Sequence, residues 1–287
     1  MAATLEESYR YCRGVARSRA KNFYYSFLLL DKTQRDAMCA IYAFNRHCDD
    51  LSDEPCEAGK AQVREKIAHW GIELNRALQG QFGEHLLWPA FRDTVERYRI
   101  PHRFFHEMID GITSDLDPRQ VRTFEELHRY CYQVASVVGL TIIHIFGFES
   151  TRALLLAEKC GIAFQLTNIL RDVREDAGLG RVYLPLEDLS RFGVTVEQLS
   201  SGKEDRNFRD LMRFEAERAR MYYRESEPLA ELIHKRSRPS LWALRAIYLR
   251  LLLRIEAANF DVLSRRINVP TRTKVALLLQ AFLFRPA

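Results

Sequence analysis

Apolar residues recur at helical spacing along almost the whole chain, and that one pattern removes most architectures from consideration. The spacing predicts helices over 5–20, 33–50, 62–79, 86–98, 102–113, 124–146, 152–172, 208–232, 241–265 and 272–284. The breaks between them are short, as at Glu54-Pro55, Ile100-Pro101, Asp117-Pro118, Gly178-Leu179-Gly180 and Arg238-Pro239. A sheet-based fold of 287 residues would need far more turn chemistry than 13 glycines and 9 prolines supply. No internal repeat or shift in composition divides the sequence, so the expectation is one all-α domain over residues 1–287.

Composition narrows the function. With 47% hydrophobic and 28% charged residues, the chain can bury a large core. Its net charge of +5 is too diffuse for a nucleic-acid protein, so no nucleic-acid partner is expected. It suits an anionic small substrate or an acidic membrane surface. The six cysteines (Cys12, Cys39, Cys48, Cys56, Cys131 and Cys160) form no CxxC pair and read as reduced thiols of a cytoplasmic protein. The opening residues lack a signal-peptide apolar region. The longest apolar stretch, 134–148, contains His144 and is too short to span a bilayer.

Two segments carry the chemistry. Arg46-His47-Cys48-Asp49-Asp50-Leu51-Ser52-Asp53 and Arg171-Asp172-Val173-Arg174-Glu175-Asp176 each place two aspartates four residues apart, Asp49 with Asp53 and Asp172 with Asp176. Positions four apart differ by about 40° around a helix, so each pair shares a face. Each pair closes an apolar helix, where stacked carboxylates repel one another unless a cation lies between them. Hard oxygen ligands suit Mg²⁺, which uses one or two carboxylates per ion and completes its shell with phosphate and water. Arg46 and Arg171 would then neutralise phosphate oxygens. The competing explanation is a solvated acidic helix end. Recurrence at two apolar helix ends, each beside an arginine, favours a metal-held diphosphate.

The sequence resembles the squalene/phytoene synthase family, the head-to-head prenyl synthases, over nearly its full length. The resemblance is carried by Ala40-Ile41-Tyr42-Ala43-Phe44, Asp49-Asp50-Leu51-Ser52-Asp53-Glu54, Tyr130-Cys131-Tyr132, and Gln165 through Asp176 followed by Gly180-Arg181-Val182-Tyr183-Leu184-Pro185. Within the family, Asn22-Phe23-Tyr24-Tyr25-Ser26-Phe27 looks most like the bacterial presqualene diphosphate and squalene synthases of hopanoid pathways.

That resemblance implies an all-α isoprenoid-synthase bundle around a central cavity. It implies condensation of two farnesyl diphosphates to presqualene diphosphate, with NADPH required only if the product is reduced to squalene. Phytoene synthesis from geranylgeranyl diphosphate and dehydrosqualene synthesis are the alternatives. By the same resemblance Asp49, Asp53, Asp172 and Asp176 would hold Mg²⁺. Lys21, Asn22, Arg46, Gln165, Arg171 and Arg266 would contact substrate. Tyr42, Tyr130, Asn168 and Tyr248 would be the catalytic residues. Ala20 and Asn22 replace the small hydroxyls usual in the family's first block. A lipid substrate and product imply peripheral contact with the inner face of a membrane and handover to downstream pathway enzymes.

Two rival readings compete with this one. Glu125…His128 and Glu231…His234 have the spacing of a di-iron bundle, but both lie in polar segments. A non-catalytic assembly factor with the same fold would carry decayed aspartate motifs, and here both are intact.

Overall fold

The structure is a computed structural model describing residues 3–20, 23–53, 59–117 and 119–284, without the side chains of Phe23, Asp53, Arg119 and Phe284. Lys21 and Asn22 lie outside the described residues. Helix α1 (Leu5–Arg19) starts at a capping box: Thr4 Oγ1 accepts the Glu7 N–H at 3.3 Å, and the Glu7 carboxylate accepts the Thr4 N–H at 2.8 Å. The chain continues through α2 (Phe23–Phe27), α3 (Lys32–Asp53), α4 (Lys60–Leu78), α5 (Trp88–Arg97) and α6 (Arg103–Ser114). After strand β1 (Arg119–Gln120) come α7 (Phe124–Cys131), α8 (Val137–Phe146) and α9 (Arg152–Gly178). Strand β2 (Arg181–Val182) precedes α10 (Leu186–Phe192), α11 (Val196–Ser201), α12 (Arg206–Glu225), α13 (Leu229–Leu232), α14 (Arg238–Ala257) and α15 (Thr271–Phe284). The fold is all-α. Among the described residues the sole sheet is β1 paired parallel to β2, Arg119 opposite Arg181.

α9 runs past its predicted end at 172 to Gly178, α2, α10 and α11 lie where the periodicity predicts no helix, and three predicted helices are broken or cut short. The helix predicted over 124–146 is interrupted by a π-helical segment, Tyr132–Ser136. Gly161 of α9 passes so close there that a Cβ on it would sit 2.6 Å from the Ser136 Cα. The Ser136 hydroxyl donates across the same contact to the Glu158 carbonyl at 2.8 Å. The helix predicted over 208–232 splits at Ser226 because Pro228 cannot continue an i to i−4 ladder. The one predicted over 241–265 ends at Ala257, two residues before Asn259 and Phe260 turn to φ 52° and 62°.

Two packed clusters form the core. In one, Phe44 of α3 is fully buried and stacks on Phe91 at 4.8 Å between ring centroids, with Trp70 and Phe105 at 6.0 and 5.4 Å. The other joins α9 to α12 and α14. By length and composition α9 alone among the described helices passes for a membrane span, yet 61% of its most apolar stretch is buried inside the fold, as in a core helix.

Candidate active site

A cavity of about 360 Å³ opens between α3, α6, α7, α8, α9 and α14. Its walls change character along its length. Phe27, Met38, Ile41, Val138, Ile142, Leu229 and Leu241 line one part; Arg46, Asp49, Ser52, Asp115, Asn168 and Arg181 line the other. The register of α3 produces this gradient. Tyr42, Asn45, Arg46, Asp49 and Ser52 recur at three- and four-residue intervals and face the cavity, while Phe44 points back into the aromatic core. The π-helical segment contributes Val134 and Ala135 to the wall, and Gly139 of α8 lines it while packing against the Ala157 carbonyl.

Of the residues singled out in the sequence, Tyr42, Arg46, Asp49, Tyr130, Gln165, Asn168 and Tyr248 all line this cavity. The Tyr248 ring stacks on Phe164 at 4.3 Å, and Asn168 Nδ2 donates to Gln165 Oε1 at 3.4 Å. Burial pushes the Tyr42 phenol up to about 12, with Arg46 opposing more weakly and Asp49 reinforcing it. Burial also raises Tyr248 and holds Tyr130 well above its ordinary value. All three phenols therefore stay protonated and neutral.

The second aspartate motif lies beside this wall. Asp172 and Asp176 follow Asn168 at four-residue steps on α9. Arg171 grips Asp172 through two hydrogen bonds, the Nε one at 2.8 Å. Arg266 reaches Asp172 at 3.0 Å and Glu175 at 3.2 Å, so Arg171, Asp172, Glu175 and Arg266 form one ionic cluster. Asp176 is pushed up to about 7, chiefly by burial and next by the charge of Asp172, with Arg181 opposing. At the first motif, Arg46 pairs with Asp50 one turn on. Asp53 closes α3, and its side chain falls outside the described part of the structure.

The donor set fits a hard divalent cation shared with a phosphate ligand. Among the described residues, no three His, Cys, Asp or Glu side chains gather into a ready-made metal cage. Asp49 on the wall and the half-buried Asp176, disfavoured as a bare anion, are each able to supply one carboxylate. Asn168 Oδ1 is a buried acceptor with no hydrogen-bond partner among the described residues, as expected where a ligand supplies the missing contact. Of the rival di-iron positions, Glu125, Glu231 and His234 are exposed at the surface.

The sequence reading missed three residues here. Asp115, at the end of α6, accepts the Tyr130 phenol at 2.9 Å on one oxygen and the Tyr183 phenol at 2.8 Å on the other. The two rings stack at 4.7 Å. Arg181 reaches the cavity because β2 is pinned to β1 directly after Gly180, whose φ of +74° makes the sharp exit from α9. Asp115 did carry a signal, since it closes an apolar helix just as Asp49 does.

The family model for squalene/phytoene synthase matches residues 16–273. The chain is 38% identical to the 15-cis-phytoene synthase of Synechocystis sp., over 98% of this chain and 86% of that protein. It is 37% identical to the chloroplastic phytoene synthase of Daucus carota, over 99% of this chain and 73% of that one. Among solved structures, a dehydrosqualene synthase in complex with a ligand matches with a TM-score of 0.87 at 30% identity, over 98% of this chain and 97% of that one. Squalene synthase HpnC from Alicyclobacillus acidocaldarius matches with a TM-score of 0.82 at 26% identity, over 89% and 95%.

Proposed function

The chain belongs to the squalene/phytoene synthase family and is a head-to-head prenyltransferase, and we propose that it joins two farnesyl diphosphates into presqualene diphosphate. The observation that carries the reading is a single cavity whose greasy wall gives way to a rim of Arg46, Asp49, Asn168 and Arg181. One substrate ionises: its C1–O bond breaks and diphosphate leaves with the electron pair. The C2=C3 π electrons of the second substrate attack the allylic C1. Loss of one proton closes the cyclopropane and leaves the second diphosphate in place.

The chain's own residues account for most of what this demands. Arg46 and Arg181 hold diphosphate oxygens by charge-assisted hydrogen bonds. Mg²⁺ held by Asp49 and Asp176 together with the diphosphate would neutralise the leaving group's charge. The apolar wall keeps water from the cation. Tyr42, Tyr130 and Tyr248, kept protonated by burial, offer π faces to the cation and no anionic nucleophile that would trap it. The released diphosphate, retained at the rim, is the base that takes the proton.

The shorter substrate follows the likeness of Asn22-Phe23-Tyr24-Tyr25-Ser26-Phe27 to the bacterial presqualene diphosphate and squalene synthases. A second reading has its own support: the curated relatives at 37–38% identity are phytoene synthases, which favours geranylgeranyl diphosphate. Separate incubations with each diphosphate and Mg²⁺, with and without NADPH, decide by product mass. A C30 product from farnesyl diphosphate supports the proposal, and a C40 product from geranylgeranyl diphosphate alone overturns it.

A further inference from the structure

Helix α15 is apolar on two opposite sides. Leu277 and Ala281 are buried where α15 packs on α14 and α2. On the far side Val275, Leu279, Phe282 and Leu283 are 40, 56, 63 and 70% exposed. Their spacing places them within about 100° of helix circumference, a continuous outward stripe. The helices beneath expose apolar side chains as well, Leu253 on α14 and Leu28 in the turn after α2. A large contiguous apolar patch on a surface helix marks a contact that the chain alone does not make.

Charge selects the occupant. Residues 262–287 contain five basic side chains (Arg265, Arg266, Arg272, Lys274 and Arg285) and no acidic one. The protein's whole net charge of +5 therefore resides in this segment, and the preceding 261 residues are neutral in sum. A second copy pressed onto the stripe would bring two like-charged segments together. A bilayer with anionic headgroups meets both requirements, acyl chains for the stripe and phosphates for the exposed Arg272, which helical spacing sets on the stripe's own side, while Arg265 and Arg266 are engaged with Asp261, Asp172 and Glu175.

We propose that the outer face of α15 is a docking surface for an anionic lipid bilayer. Its position is suited to lipid traffic. α15 lies on α2 and α14, whose Phe27, Leu241, Leu244 and Tyr248 line the far side of that layer as the cavity wall. Docking there sets the apolar end of the cavity one helix layer from the membrane. The inference stands apart from the substrate assignment, since its test involves no turnover.

The experiment is sedimentation of the full chain with vesicles of phosphatidylcholine alone or mixed equally with phosphatidylglycerol, at low and high salt. The proposal expects binding to the mixed vesicles that weakens as salt rises. The paired substitution Leu279→Ser and Phe282→Ser should lower that binding by about tenfold or more. Both side chains are mostly exposed, so the melting temperature should hold and identify the loss as one of docking. Arg272→Glu should weaken binding to the mixed vesicles by about tenfold. Failure to bind mixed vesicles overturns the proposal, as does unchanged binding by the paired variant. A wild-type dimer that the paired variant dissolves, without vesicle binding, overturns it in favour of a contact between two copies.

Discussion

The Tyr130 phenol donates to Asp115 Oδ2 at 2.9 Å at the point where the apolar wall of the cavity meets its polar rim. The other carboxylate oxygen is held by Tyr183, so the tyrosine pair and the carboxylate fix one another. Asp115 thereby sets the orientation of a ring that we place beside the allylic cation. Asp115→Asn keeps the shape but gives one phenol a poor partner, at a cost of about 1–3 kcal/mol. It should lower kcat by about tenfold to a hundredfold with less change in KM. Tyr183→Phe, which leaves the Tyr130 contact in place, should lose less. Steady-state kinetics of the two variants check this, and equal losses would remove the positioning role.

Asp49→Asn removes a carboxylate from the cavity wall while leaving α3 and its buried Phe44 face untouched. Turnover should fall by about a hundredfold or more, as when an electrostatic stabiliser of a developing charge is lost. The Mg²⁺ concentration for half-maximal rate should rise, and the far-UV circular dichroism should stay that of the parent. A variant with parental kinetics would exclude Asp49 from the diphosphate site.

Phe44 lies only two residues from Tyr42 but serves the core. Its ring is fully buried against Phe91, Phe105 and Trp70. Phe44→Ala should cost about 3–5 kcal/mol of stability, read as a shift in the denaturation midpoint. Tyr42→Phe removes one hydroxyl from the cavity wall and should leave that midpoint nearly unchanged.

Stability should fall on mild acidification through His85. Burial, reinforced by His47, depresses the His85 imidazole to about 4, and its Nδ1 accepts the Leu87 N–H at 3.2 Å, which requires that nitrogen unprotonated. The folded state thus prefers the neutral ring. The unfolded chain gains a proton below about 6.5. The contribution is complete above that pH and is lost as the pH falls toward 4. Because the ring is partly solvated, about 1 kcal/mol should disappear between pH 7 and 5. Denaturation at both pH values, beside His85→Gln, measures it: the variant should show a shallower pH dependence, and an identical slope would contradict the assignment.

What the sequence revealed and what it hid follow from the range of the interactions. Asp49 stood out because helical spacing sets it on one face with a second aspartate beside an arginine, and it lines the cavity, whereas Tyr42, Gln165 and Asn168 came from the family resemblance. Asp115 did not stand out, because its role exists only once Tyr130 and Tyr183 arrive from segments 15 and 68 residues away. Arg181 needed the β1–β2 pairing, which two-residue strands do not announce. The π-helical break at Tyr132–Ser136 arises from the close passage of Gly161, a tertiary contact with no periodic trace. Likewise α15 reads as apolar on all sides until packing shows which half α14 and α2 cover.

The account rests on head-to-head coupling of two farnesyl diphosphates, and a mass balance tests it most directly. Purified full chain, farnesyl diphosphate and Mg²⁺, without reductant, should release one inorganic diphosphate for every two substrates consumed. The C30 product should still carry its own diphosphate. Consumption without a C30 product, or release of one diphosphate per substrate to give farnesol, would contradict it.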